Sequence, residues 1–296
     1  MDNNWTSLHI FYHDVSKYDK FLLKICTMLD QFRKEGKIEK WFFIRYWEGG
    51  PHIRVRMLRV SKESVEAFKD MAYSFMRENP SKYLVSREEY YKDNKFDGKP
   101  VDLVALPWYE DGEIVEISYE QEIQRYGGEA VMSMSETIFC YSSYLVKNIL
   151  ESTKGSFHKK LIFAEALTWI EVEEFRKVYG RQNPYEFLNI YQENWKGFLY
   201  HTENEKQIKI FFETNEKPLV NAKEILFNNK KFMHLIQLIK NEIQKISEYV
   251  TKLDYMDYIM ASQIHMTNNR LGAAPVFEYF IAQNLIQQGK VGIENG

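Results

Sequence analysis

The sequence has few cysteines, no basic excess and no long apolar run. Its 296 residues include only two cysteines, Cys26 and Cys140, which are far apart and lack metal or redox spacing. This usage favours a reducing, cytoplasmic setting. No run approaches the roughly 20 apolar residues that a membrane-spanning helix needs, so we expect no membrane association. The N-terminus lacks the basic and apolar regions of a signal peptide.

The charge balance and the missing motifs exclude several classes of function. The formal net charge is −3, whereas proteins that bind nucleic acid usually carry a basic excess to neutralise phosphates. We therefore expect no direct contact with nucleic acid. The sequence also contains no P-loop, no dinucleotide-binding glycine motif, no H-E-x-x-H and no G-x-S-x-G. Because these motifs are missing, we expect neither a metal site nor a cofactor.

What is present is an aromatic-rich chain whose character changes along its length. Aromatic residues make up 16% of it. Strand patterns with intervening helices come first and helical patterns follow, which predicts an α+β fold: a mostly antiparallel sheet with helices, then a helix-rich C-terminal part. Residues 1–296 are interpreted as a single unit, with a candidate sub-boundary near residue 128. Residues 157–179 and 221–251 each fit one continuous helix.

The first motif is a hairpin, "WFFIRYWEGGPHIRVRMLR", at residues 41–59. Side chains alternate faces along a strand, so His52, Arg54 and Arg56 share one face. One interpretation is a solvated sheet surface. The other is an anion pocket for a carboxylate, since both positions are arginine and the planar guanidinium binds carboxylates bidentately.

Two further motifs follow. In "EQEIQRYGGE", Glu122 and Arg125 lie three residues apart before a glycine pair, which fits a surface ion pair or a functional turn. In "SQIHMTNNRLG", His265 precedes Asn269 and Arg270 near the end of a helical pattern. This pattern is typical of a histidine stabilised at a helix terminus, and it also fits a catalytic group.

Together and in this order, the segments "FFIRYWEGGPHIRVR", "EIQRYGG" and "HMTNNRLG" resemble the C-terminal elimination domain of lantibiotic dehydratases, which also occurs as a stand-alone protein in thiopeptide biosynthesis. The resemblance spans nearly the whole chain. It departs from the family pattern in "FCYSS", where Ser142 stands at a position that is often aspartate. The sequence also has no counterpart of the large N-terminal domain that glutamylates peptide Ser or Thr in full-length dehydratases.

The resemblance implies a lyase acting on a ribosomally made precursor peptide with leader and core. It would remove glutamate from glutamylated Ser or Thr, giving dehydroalanine or dehydrobutyrine, after a separate glutamylating subunit has acted. His265 is then the candidate base. Arg54, Arg56 and Arg125 are the candidate cations, with Glu122 orienting Arg125 or His265. Candidate substrate-binding residues complete the set: Arg45, His52, Asn269 and Arg270.

Two alternatives remain open at this point. Some stand-alone proteins with this resemblance are pyridine synthases, which join two dehydroalanines in a formal [4+2] cycloaddition and release the leader peptide. The other alternative is a non-catalytic subunit that holds the leader by strand addition. Retention of the histidine and arginine set favours elimination over cycloaddition, whereas the aromatic richness and Ser142 favour cycloaddition. The same set argues against a pure binding module, which needs no base.

Overall fold

The computed structural model describes residues 4–92, 106–200 and 202–294. Contacts divide these residues into two compact units, the first ending at Gln121 and the second beginning at Glu122. The interpretation of residues 1–296 as a single unit, and the sub-boundary near residue 128, stay predictions. We call the two parts the sheet unit and the helical unit.

The sheet unit is built on four antiparallel strands in the order β2-β3-β1-β4. The strands are β1 (Trp5–Phe11), β2 (Lys40–Tyr46), β3 (His52–Leu58) and β4 (Ile114–Glu116). The predicted hairpin is formed by β2 and β3, with Tyr46 opposite His52 at its closed end. Gly49 and Gly50 in the connection have φ of 90° and 108°. Only glycine adopts such angles at no steric cost, so this turn depends on the pair.

Helices α1 (Tyr18–Lys34), α2 (Lys62–Glu78) and the short α3 (Arg87–Lys92) complete the sheet unit. Ser61 caps α2, since its Oγ accepts a hydrogen bond from the Ser64 amide at 3.2 Å. Trp41 and Phe43 of β2 and Val55 of β3 are fully buried on one sheet face. Because Arg45 on that face reaches Asp19 of α1 at 2.7 Å, α1 covers the apolar side of the sheet.

The helical unit contains eight α-helices among its described residues. They are α4 (Glu129–Thr153), α5 (Phe157–Ile170), α6 (Pro184–Trp195), α7 (Glu203–Thr214), α8 (Glu216–Asn228), α9 (Lys230–Tyr249), α10 (Leu253–Leu271) and α11 (Pro275–Glu294). The closest helix pairs are α4 with α9, α6 with α11 and α5 with α8. The predicted α+β class is confirmed.

Two predicted helices are divided in the structure. The pattern over 221–251 is split at Asn229, whose side chain accepts hydrogen bonds from Lys231 and Phe232 and thereby caps α9. The pattern over 157–179 changes after Ile170 into a π-helical turn, Glu171–Phe175, and then a 3₁₀ turn. Hydrophobic spacing alone predicts neither the break at Asn229 nor the π turn, because the apolar stripe continues through both. The π turn places Glu171 inside the bundle.

Candidate active site

The sheet face opposite α1 carries the three basic residues of β3. His52, Arg54 and Arg56 alternate with the buried apolar residues of the same strand. Their partners across the ladder are Phe11, His9 and Ser7 of β1 and Tyr46, Ile44 and Phe42 of β2. His52, His9 and Phe42 are almost completely buried. The centre of this face is therefore not the solvated sheet surface that the strand pattern also allowed.

Arg45 lies on the other face of the sheet. The register pairs it with Ile53, and cross-strand partners point to the same side. Its guanidinium binds Asp19 and lies over the Tyr18 ring at 5.7 Å. The pairing register thus directs Arg45 toward α1 and away from the face of Arg54 and Arg56, and its role in substrate binding stays a prediction.

The contacts of Arg54 include a hydrogen bond to a histidine and the face of an aromatic ring. Its Nε donates to Nε2 of His52 at 3.0 Å. The guanidinium carbon lies 3.5 Å from the centroid of the Tyr46 ring, a stacked cation–π geometry that a lysine cannot reproduce. The cation is thus fixed in direction as well as in place.

Arg56 has a similar aromatic environment. Its guanidinium carbon is 4.1 Å from the centroid of the Tyr119 ring and 5.2 Å from that of Phe42. Tyr119 and Phe42 contact each other edge to face at 5.8 Å. The aromatic residues of the hairpin and of the segment after β4 therefore form walls for both arginines, a low-dielectric setting that strengthens their pull on an anion.

Burial keeps the two histidines of this face neutral. It lowers the pKa of His9 to about 2, and the positive charge of Arg54 lowers it further. Burial also lowers the pKa of His52 to about 3, with the charges of Arg54 and Arg56 acting in the same direction. The rings of His9 and His52 stack at 5.1 Å. Neither histidine of this face is poised to shuttle protons near neutral pH.

Glu122 and Arg125 form the second motif, in the helical unit. Arg125 Nη1 binds Glu122 Oε2 at 2.9 Å, and Nε donates to Ser262 Oγ at 3.1 Å. The glycine pair that follows has positive φ, and a Cβ at Gly127 would lie 2.5 Å from Val131. The turn therefore needs Gly127 for space as well as for angle. Of the two orientations predicted for Glu122, the structure shows contact with Arg125.

His265 lies on α10, in contact with a buried carboxylate. Its Nδ1 is 2.6 Å from Oε1 of Glu278 on α11, and Glu278 is fully buried. Oε2 of Glu278 accepts hydrogen bonds from the hydroxyl of Tyr191 and from Asn268 Nδ2. A carboxylate only accepts, so the proton of the bond to Oε1 belongs to Nδ1, and in the neutral imidazole Nε2 then carries the lone pair.

The motifs of the sequence do not point to the partners of His265. Glu278 lies in the helix after Gly272, Tyr191 lies on α6, and the ring of Trp195 lies tilted against the imidazole with centroids 4.7 Å apart. None of them shares a period or motif with His265, because packing of three separate helices brings them together. An unpaired glutamate in the apolar pattern of α11 was the one available sign, since glutamate is rarely buried without a partner.

Arg270 and Asn269 follow on the same helix. Arg270 is 1% exposed, and its guanidinium donates to Ser143 Oγ at 3.1 Å and to Ser142 Oγ at 3.4 Å. Asn269 is half-buried, and its carbonyl accepts from the Gly272 amide at the helix end. The guanidinium carbon of Arg270 also lies 5.6 Å from the centroid of the Phe139 ring. The substrate-binding role of Asn269 and Arg270 stays a prediction.

Glu171 of the π turn lies in one buried polar layer with Arg270, Thr267 and the two serines of α4. Thr267 Oγ1 donates to its Oε1 at 3.2 Å, and Thr267 also contacts Ser142. Burial raises the pKa of Glu171 to about 8, while Thr267 and Arg270 oppose the shift. The layer thus keeps a neutral carboxyl beside Arg270.

The described residues contain no group of three or more histidine, cysteine, aspartate or glutamate side chains arranged to hold a metal ion. None of the helices among them is long and apolar enough to cross a membrane. The arrangement offers acid–base and cationic groups: arginines on the sheet unit, and a carboxylate-bound histidine and an arginine on the helical unit.

Comparison with known proteins gives one family and several relatives. A family model described as lantibiotic biosynthesis dehydratase C-term matches residues 5–288. The chain is 28% identical over 291 residues to the epidermin biosynthesis protein EpiB of Staphylococcus epidermidis. The alignment covers 94% of this chain and 25% of EpiB. The chain thus spans about a quarter of the length of this curated relative.

Solved structures support the fold. The pyridine synthase TbtD from thiomuracin biosynthesis superposes with a TM-score of 0.66 at 13% identity, covering 96% of this chain and 97% of TbtD. The tRNA-dependent lantibiotic dehydratase MibB from Microbispora sp. 107891 superposes with a TM-score of 0.60 at 15% identity, covering 97% of this chain and 28% of MibB.

Proposed function

The chain belongs to the lantibiotic biosynthesis dehydratase C-terminal family, and from this premise we propose that it eliminates glutamate from glutamylated Ser or Thr of a precursor peptide. The product is dehydroalanine or dehydrobutyrine. The observation that carries the proposal is the bond between His265 and the buried Glu278. A carboxylate on Nδ1 fixes the tautomer and leaves Nε2 as the basic nitrogen, which is the arrangement of a general base.

The reaction needs a base and cations. Nε2 of His265 takes the α-proton of the modified residue, the Cα–H electron pair forms the Cα=Cβ bond, and the Cβ–O bond breaks. Glutamate leaves with its ester oxygen as a carboxylate. Arginine suits both the departing carboxylates and the enolate that develops during proton removal. Arg54, Arg56 and Arg125 are therefore the proposed cations, and Glu122 holds Arg125 through the ion pair described above.

The partners follow from the reaction. The substrate is a peptide with leader and core whose Ser or Thr already carries glutamate, so a separate glutamylating dehydratase subunit acts first.

A second candidate function is pyridine synthesis by a formal [4+2] cycloaddition of two dehydroalanines. The whole-length superposition with TbtD favours it, since each chain covers nearly all of the other. A cycloaddition makes less use of a glutamate pocket, and the stacked Arg54 and Arg56 with the His265–Glu278 pair support elimination.

The test offers the purified chain two substrates in the absence of any partner: a glutamylated precursor peptide and a thiazole peptide bearing two dehydroalanines. Mass spectrometry of the first should show loss of glutamate and gain of a double bond. Ring formation with leader release from the second would replace the proposal with the cycloaddition. No change in either would support a leader-binding subunit.

A further inference from the structure

His52 is bonded on both ring nitrogens inside the sheet unit. Its Nδ1 is 2.8 Å from the carbonyl of Gly50, and its Nε2 is 3.0 Å from Nε of Arg54. A carbonyl only accepts, so the ring proton sits on Nδ1. A guanidinium only donates, so the lone pair sits on Nε2. The two partners therefore assign one tautomer of a neutral imidazole.

The bond to His52 constrains the cation. Arginine has a long side chain with many rotamers, and its binding edge is useful only if the guanidinium plane is fixed. Here Nε is held by His52 from one side while the plane stacks on Tyr46 at 3.5 Å. These two contacts determine the plane of the guanidinium and the direction of its Nη1–Nη2 edge.

The surroundings of His52 keep the ring in place and uncharged. The ring lies 4.4 Å from that of Phe11 and 5.1 Å from that of His9, and it is fully buried. A buried side chain contacts a substrate only if the structure opens. The position of His52 thus suits support of a neighbour better than contact with a ligand.

We propose that His52 is a positioning residue, whose neutral imidazole orients the guanidinium of Arg54 toward a substrate carboxylate. This positioning role replaces the direct contact with substrate that the sequence analysis predicted for His52. The inference rests on the proposed function, in which Arg54 binds a carboxylate of the glutamyl group.

Two substitutions separate the two bonds of the ring. A glutamine at position 52 places its carbonyl near the position of Nε2 and can still accept from Arg54. An asparagine places its amide near the position of Nδ1 and can still donate to Gly50, but it leaves Arg54 without its acceptor. We expect His52→Gln to retain glutamate release, and His52→Asn to lower kcat/KM about 100-fold through misplacement of the cation.

The matched control is the Arg54→Lys background. If His52 acts through Arg54, His52→Asn adds no further loss once Arg54 is replaced, whereas a direct contact between His52 and substrate adds its own loss. Thermal unfolding of each variant shows whether it is folded at the assay temperature.

A readout that does not depend on activity is hydrogen exchange at the Nε–H of Arg54, followed by ¹⁵N NMR. We expect slow exchange in the wild type and in His52→Gln, and fast exchange in His52→Asn. Equal losses of rate in both variants, or slow exchange in His52→Asn, would overturn the inference. If the wild-type chain releases no glutamate, the proposed function fails, and the exchange measurement alone decides whether His52 holds Arg54.

Discussion

In the sheet unit burial acts on histidines, whereas in the helical unit it acts on glutamates, and in each case it favours the uncharged form. On the sheet, neutral histidines lie beside stacked arginines, and burial lowers the pKa of His9 and His52. In the helices, burial raises the pKa of Glu165 to about 7 and that of Glu171 to about 8. The sheet unit therefore presents fixed cations, whereas the helical unit presents a carboxylate-bound histidine. Under the proposed function, Arg54 and Arg56 of the sheet unit bind the leaving glutamate together with Arg125 of the helical unit, and His265 of the helical unit removes the proton.

The largest effect is expected for His265→Ala. A general base contributes about 100- to 10,000-fold to a rate, so release of glutamate should fall within that range while the peptide still binds. The measurement is kcat/KM on glutamylated peptide by mass spectrometry. His234→Ala is the matched control, since His234 is exposed on α9. A wild-type rate in His265→Ala would show that His265 is not the general base.

Glu278→Gln should cost less, about 10- to 100-fold in kcat/KM, because the ring stays basic but loses the charge that orients it. Glu165→Gln is a suitable control, since Glu165 is equally buried and bonds to Asn284 without contact to His265. Equal losses in the two variants would mean that any buried glutamate matters, and that the bond to His265 has no special role.

Arg45→Met separates the two faces of the sheet. The ion pair of Arg45 with Asp19 is mostly buried, so its loss should lower the free energy of unfolding by about 1–2 kcal/mol. Glutamate release should keep its rate, because Arg45 faces α1. Urea denaturation and kcat/KM together check this. A variant of unchanged stability but much lower kcat/KM would show that Arg45 acts at the active site and not in stability.

A fourth prediction concerns the slope of the free energy of unfolding against pH, with no effect expected on glutamate release. The folded protein holds the proton of Glu171 to about pH 8, while the ordinary pKa of a glutamate is 4.5. The unfolded chain therefore loses this proton first, and wild-type stability falls as pH rises between these values. Glu171→Gln should lose this part of the slope in urea denaturation between pH 5 and 8. The exposed Glu216→Gln should keep it, and an unchanged slope in Glu171→Gln would contradict the assignment.

The sequence predicted the sheet unit better than the helical unit, for a physical reason. Side chains two residues apart on a strand share a face whatever the pairing register, so the motif alone predicted that Arg54 and Arg56 lie together. The face of Arg45 depends on how β2 pairs with β3, which the spacing within β2 does not specify. In the helical unit His265 was found by its motif, but Glu278 and Tyr191 reach it only through packing between helices.

The most direct test of the division between the units is the affinity for an unreactive substrate. A peptide in which an amide replaces the glutamyl ester keeps the one free carboxylate of the glutamyl group but does not eliminate, and its Kd is measured by calorimetry. We predict that His265→Ala binds it like the wild type, while Arg54→Lys binds it about tenfold or more weakly, as expected for a lost charge-assisted bond. Wild-type affinity in Arg54→Lys together with lost affinity in His265→Ala would contradict the account.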